Sequence, residues 1–220
     1  MTKRPDPLVG KRLRPILVVL SFALVTAALL FDTAAGAGVP KGGKGKVIAT
    51  GSFSCSGYGA VSFHPSLKFS DTGEDRWHVV LRHLSCTALE SNVTTSTFAG
   101  YLTGDLYAMS DSCLALQVDT PVSVSGTLEY MWTGARVGTA HVAPSVLSPT
   151  SITLQPLVGP NSPVILSWSG STVGGSFAGT NASGNLKTYG NNGTETDLLT
   201  ACSTSSGVHS VGVDATSTQG

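Results

Sequence analysis

Four cysteines, Cys55, Cys86, Cys113 and Cys202, and five histidines, His64, His78, His83, His141 and His209, are the residues of this 220-residue chain best suited to chemistry. Their spacing narrows what that chemistry is. No C-x-x-C pair occurs, so neither a redox dithiol nor a zinc ribbon is indicated. Separated cysteines of even number read instead as two disulfides formed in an oxidising compartment. Serine is abundant, but there is no G-x-S-x-G elbow, and "GGSFAG" at 174–179 lacks the glycine that motif requires. A hydrolase triad would have to be assembled from separate loops, around one of the five histidines. His78 and His83 fall in one predicted strand at an odd separation, so they are expected on opposite faces and unable to share an ion. His64, His141 and His209 are isolated in sequence. No metal or cofactor is expected.

The ends of the chain say where such disulfides would form. Lys3, Arg4, Lys11, Arg12 and Arg14 precede an apolar run from Ile16 to Phe31, and the small residues Ala35-Gly36-Ala37 follow. That is the order of a signal peptide over residues 1–37, with cleavage near Ala37, and the run is shorter than the ~20 residues of a spanning helix. An uncleaved anchor is the alternative. Residues 38–46, containing Lys41, Lys44 and Lys46, read as a flexible Gly/Lys leader, and residues 47–220 as one β domain. Five of 13 basic and two of 13 acidic residues lie in the leader peptide, which leaves 8 basic against 11 acidic. A domain of that sign lacks the positive footprint nucleic acid requires. A secreted or cell-surface location is expected, with a cell-envelope component or a small apolar ligand as partner and no membrane span after cleavage.

Ser, Thr, Gly and Val dominate the mature chain, a mixture suited to hydrogen-bonded strands and turns. Strand signals run over 47–55, 60–70, 76–86, 94–103, 122–133, 151–155, 163–167, 172–179 and 208–214. "DTGED", Asp71 to Asp75, joins the second and third as a hairpin turn; its carboxylates do not have calcium-loop spacing. A single helix is expected near the C-terminus, with Thr194 and Asp197 at its start, Leu198, Leu199 and Cys202 on its apolar stripe, and Gly207 as terminator.

The predicted topology bears on the cysteines. Cys55 ends the first predicted strand and Cys202 precedes the last; antiparallel pairing of these strands narrowly favours Cys55–Cys202 with Cys86–Cys113 over Cys55–Cys86 with Cys113–Cys202. Within "CSGYGAVSFHPSLKF", residues 55–69, Val61, Phe63, Leu67 and Phe69 share one face, while Ser62, His64, Ser66 and Lys68 share the other. Pro65 suits an edge or a bulge. Each tryptophan belongs to an aliphatic row, Trp132 with Leu128 and Tyr130, Trp77 with Val79 and Leu81, and Trp168 with Val164 and Leu166. Such rows pack a core or, in a barrel, line a cavity. Asn92-Val93-Thr94, Asn181-Ala182-Ser183 and Asn192-Gly193-Thr194 match the glycosylation sequon, which matters only in a eukaryotic secretory route.

Taken in order, "FSCSGYGAVSFHPSL", "HLSCT", "SDSCLAL", "VSVSGTLEYMW", "STVGGSFAG" and "TACSTSSGVHSVGV" resemble a group of small exported actinobacterial proteins with four cysteines. Members often carry a Pro-Pro pair where this chain has His64-Pro65. The resemblance implies a bacterial, exported, β-rich protein and brings no activity with it. The expectation is an all-β domain, an antiparallel sandwich or closed barrel of about eight to nine strands. Its expected role is non-catalytic, in binding or envelope structure; the alternatives are a secreted hydrolase and an apolar-ligand carrier.

Overall fold

A computed structural model describes residues 45–70, 73–109, 112–117, 121–155 and 159–220, the side chains of 116 and 117 excepted. The expected signal peptide 1–37 with its expected cleavage near Ala37, Lys41 and Lys44 of the expected leader, and the hairpin tip at Asp71-Thr72 lie outside the described residues. In chain order the elements are β1 (Lys46–Val47), β2 (Gly51–Leu67), β3 (Glu74–Ser91), β4 (Thr97–Met109), α1 (Cys113–Gln117), β5 (Val122–Thr133), β6 (Arg136–Val137), β7 (Ala140–Val142), β8 (Ser145–Leu154), β9 (Ile165–Gly175), β10 (Asn181–Tyr189), α2 (Glu195–Cys202) and β11 (Val208–Gln219).

Eight long strands close into a barrel in the order β10-β11-β2-β3-β4-β5-β8-β9, every contact antiparallel. Closure leaves the barrel no free edge. The alternation is apolar inward and polar outward: on β11, Val211, Val213 and Ala215 are buried while Asp214, Thr216 and Thr218 are exposed. A lipid-facing barrel has the opposite arrangement. β1, β6 and β7 form a small separate sheet, in which Lys46, the last residue of the expected leader, pairs with His141.

Several expected strands turn out to be parts of longer ones. β2 continues unbroken through Ser56-Gly57-Tyr58-Gly59, because both glycines face inward where strands approach closely. A Cβ on Gly59 would run into the Val80 carbonyl oxygen. The parity expected for residues 55–69 holds for Val61, Phe63 and Leu67, which are buried; Phe69 lies past the strand end and is exposed. Pro65 sits in a bulge, opposite the register shift between Val208 and Ser210 of β11.

Both mouths are closed by side chains. At one, Phe53 packs edge-on or tilted against Phe98, Tyr130, Trp132 and Phe177. At the other lie the two helices. Thr194 caps α2 as expected, its hydroxyl accepting from the Asp197 amide, and Cys202 is the buried residue of that helix. The helix ends at Ser203 in right-handed conformation, so Gly207 is not its terminator. α1, five residues long, carries no helix signal of its own in the sequence, which leads to the expectation of a single helix.

The disulfides join Cys55 to Cys86 and Cys113 to Cys202, which corrects the favoured pairing Cys55–Cys202 with Cys86–Cys113. β2 and β11 do pair antiparallel, but β2 extends well past Cys55, which lies opposite Ser217 near the far end of β11. Cys202 precedes the near end, where Val208 meets Leu67, on the order of 30 Å of strand rise away along β11. Cys86 lies directly across the β2–β3 ladder from Cys55, with Cα atoms 4.0 Å apart. Cys113–Cys202 fastens α1 to α2.

Candidate functional site

The interior of the barrel is filled. Tyr130 on β5 spans the lumen to Ser217 on β11, on the opposite wall, with a hydroxyl–hydroxyl distance of 2.9 Å. Beside it the Thr172 hydroxyl donates to Gln219 Oε1 at 2.6 Å, and Trp132 Nε1 donates to Ser145 at 3.0 Å. Gln219 Nε2 is buried and has no hydrogen-bond partner among the described residues. Below this layer, Leu81, Leu102, Leu106, Leu128, Ile152 and Leu186 surround an apolar cavity of about 30 Å³. A second, also about 30 Å³, lies beneath α2 among Phe63, Leu67, Leu154, Val164 and Leu166. Each has room for about one water. A small-molecule pocket occupies roughly 300–1,000 Å³. The tryptophan rows therefore pack the core: Trp77 is fully buried, and Trp132 and Trp168 are half-buried.

Burial pushes the Tyr130 phenol up to about 12, offset in part by its hydrogen bond with Ser217 and by the neighbouring Gln219 amide. The folded chain therefore favours the neutral phenol. Its contribution to stability is complete below pH 10, the ordinary tyrosine value, and disappears as pH rises toward 12. That step amounts to roughly 2–3 kcal/mol. Alkaline denaturation is expected to steepen between those pH values in the wild type, and Tyr130→Phe is expected to remove that component. An identical pH profile for the variant would show that the phenol does not titrate with unfolding.

The histidines lie on the outer wall or in the small sheet. His78 Nδ1 is 2.8 Å from Asp105 Oδ1, a cross-strand pair with side chains 44% and 38% exposed. Ser62 is opposite His78 on the other flank, so a Ser-His-Asp row crosses β2, β3 and β4, although no hydrogen bond joins Ser62 to His78 among the described residues. His83 corrects the parity expectation: it faces outward like His78. A bulge in β3, where the register shifts between Leu81 and Leu84, places one extra residue in the strand and returns both histidines to the outer face. His83 adopts a left-handed φ of 54° there, and its ring stacks on Tyr58 with centroids 5.2 Å apart. No group of metal-ligating side chains is present among the described residues.

The outer wall also carries an array that residue-type motifs do not reveal. Cross-strand register aligns Ser85, Ser56, Thr216, Asn185, Ser167 and Thr153 in one transverse row over β3, β2, β11, β10, β9 and β8. Two residues along each strand, Thr87, Ser54, Thr218, Ser183, Ser169 and Ser151 form a second row. None of these twelve positions is ionisable. Part of the array is held rigidly: Ser167 donates to Asn185 Oδ1 at 2.8 Å, Gln155 Nε2 donates to Ser167 at 2.6 Å, and Ser151 and Ser169 hydroxyls meet at 2.8 Å. The rows line a shallow groove of about 540 Å³ over β3, β2, β11, β10 and β9. A second groove, of about 750 Å³, adjoins it and shares Ser183 and Thr218. A mature chain rich in Ser and Thr carried the raw signal, but the rows depend on register, which a single sequence does not specify.

Fold and site together define a disulfide-bonded, antiparallel eight-stranded barrel with a packed interior and a hydroxyl-lined outer wall. No protein-family model matches the chain, and neither a curated protein nor a solved structure does. Two disulfides are what an oxidising, extracellular environment sustains. No helix among the described residues is long and apolar enough to cross a membrane.

Proposed function

We propose that this protein is a non-catalytic binding domain of the extracellular space or cell envelope, exported by the N-terminal segment and kin to the exported four-cysteine actinobacterial group, and that it engages its partner through the outer wall. The observation that carries this reading is the contrast in room: about 30 Å³ in each interior cavity against about 540 and 750 Å³ in the outer grooves. Carriage of an apolar ligand inside the barrel would need the packed leucine layer and the Tyr130–Ser217 bridge to open. Incubation with the cell-envelope fraction of the producing organism tests the proposal. The wild type is expected to sediment with that fraction, and Ser54→Arg/Thr216→Arg, placed on outward positions that leave the core untouched, is expected to remain in solution. Equal sedimentation of the two proteins, or of neither, would refute the reading.

The His78–Asp105 pair favours a second reading, hydrolysis with Ser62 as nucleophile. Its geometry supplies an oriented base, but the pair is more than a third exposed and neither outer groove includes it. Water exclusion, which strengthens the electrostatics of an acyl-transfer site, is lacking there. A fluorophosphonate probe is expected to leave Ser62 unlabelled; labelling that disappears in His78→Ala would establish the hydrolase reading instead.

A further inference from the structure

The chemistry of the groove narrows what the outer wall can hold. We infer that the Ser/Thr/Asn groove over β9, β10, β11 and β2 is a binding site for an extended, uncharged glycan chain. This inference rests on the outer-wall reading above and specifies its ligand.

The first argument is charge. A ligand bearing phosphate, sulfate or carboxylate calls for cationic or bidentate partners. The two rows contain no ionisable group. Lys187 and Asp214, one step beyond the rows, pair in register with each other and bracket the array instead of entering it. The wall thus matches a neutral partner.

The second argument is hydrogen-bond inventory. Asn185 Oδ1 already accepts from Ser167 and Gln155, so its Nδ2 is left to donate outward. The hydroxyls of Ser54, Ser56, Ser85, Thr87 and Thr216 make no side-chain hydrogen bond among the described residues, and each can both donate and accept. A surface of such groups suits a partner that is itself dense in hydroxyls. An apolar ligand would strand them, and a peptide would need its backbone satisfied by a sheet edge that the closed barrel does not offer.

The third argument is spacing. Groups in a row repeat with the strand separation of about 4.8 Å. That distance is close to the length of one pyranose residue in an extended chain, so successive sugars meet successive strands. The Gln155–Ser167–Asn185 and Ser151–Ser169 bonds hold the β8–β9–β10 side of the array in place before binding, which lowers the ordering cost. Tyr58, 48% exposed and stacked on His83, follows Ser56 along β2 and offers an aromatic face at the border of the groove.

Isothermal titration of the protein with neutral hexasaccharides of glucose, N-acetylglucosamine, mannose and arabinose, beside hexagalacturonate as the charged chain, tests the inference. At least one neutral chain is expected to bind, with affinity unchanged between low and high salt. Thr216→Val/Thr218→Val keeps the shape of both side chains and removes two central hydroxyls, and is expected to weaken that binding by about tenfold or more. Thermal melting of the variant, expected to match the wild type, separates lost contacts from lost fold. Binding of no neutral chain, tighter binding of hexagalacturonate, or equal affinity in the variant would overturn the inference. The envelope sedimentation of Ser54→Arg/Thr216→Arg is read independently. A sugar-negative protein that still sediments through its outer wall would refute the glycan ligand and leave the outer-wall reading intact, whereas loss of both would refute both.

Discussion

Replacing Cys113 and Cys202 together with serine is expected to cost the protein roughly 4–5 kcal/mol, more than the roughly 3.5–4 kcal/mol expected for the Cys55/Cys86 pair. The two bridges close loops of very different length, with sequence separations of 89 and 31. The shorter bridge also joins residues that the β2–β3 ladder already holds opposite each other. The longer one ties α1 to α2, short elements outside the ladder that cover Leu67, Val164 and Leu166 at one mouth of the barrel. At about 2–4 °C per kcal/mol for a domain of this size, the melting temperature should fall by roughly 10–20 °C on losing Cys113–Cys202. Thermal and urea unfolding of the two double variants, without reductant, measure this directly. A larger loss from the Cys55/Cys86 variant would mean that the helices are held by contacts other than the bridge.

Phe53→Ala is the single substitution expected to do the most damage, roughly 3–5 kcal/mol. The ring is fully buried. It lies 4.7 Å from Phe177, 4.8 Å from Trp132, 5.7 Å from Tyr130 and 6.5 Å from Phe98, measured between centroids. Truncation would leave a cavity among rings held by β4, β5 and the turn between β9 and β10, which cannot collapse together. Aromatic pairs also contribute about 0.5–1.5 kcal/mol each beyond their buried area. Phe53→Leu should recover most of the loss, because it fills much of the space. Equilibrium urea unfolding with an unchanged slope would attribute the effect to the folded state. A loss below about 1 kcal/mol would show that the mouth repacks freely.

How much of this was legible beforehand varies by element. Strong alternation marked β3, β4 and β5, and the Thr194–Asp197 cap marked α2. β10 carries no strand signal in the sequence, because Asn181, Ser183, Gly184 and Asn185 carry turn chemistry, while its inward positions, Ala182, Gly184, Leu186 and Thr188, are mostly small. The break placed within β2 came from the same source: inward Gly57 and Gly59 look like punctuation in sequence, yet in a narrow barrel they permit close approach of the strands. A strand end at Cys55 favours Cys202 as its partner, whereas the unbroken β2 sets Cys55 opposite Cys86. Parity puts His83 on the wrong face because a bulge shifts it without any glycine or proline to announce it. The candidate site was the least legible part. Its hydroxyls recur throughout a Ser/Thr-rich chain, and only closure, register and the direction of each side chain gather them into rows.

The claim on which the rest depends is that the barrel is full and works from its outside. Native mass spectrometry of the mature protein, purified from its source without detergent and sprayed before and after denaturation, tests it most directly. The predicted result is a single polypeptide mass, lower than the reduced chain by the hydrogens of two disulfides, with no apolar molecule released on unfolding. A stoichiometric lipid or other hydrophobic compound that appears only on denaturation would contradict it, since the interior described here leaves such a molecule nowhere to sit.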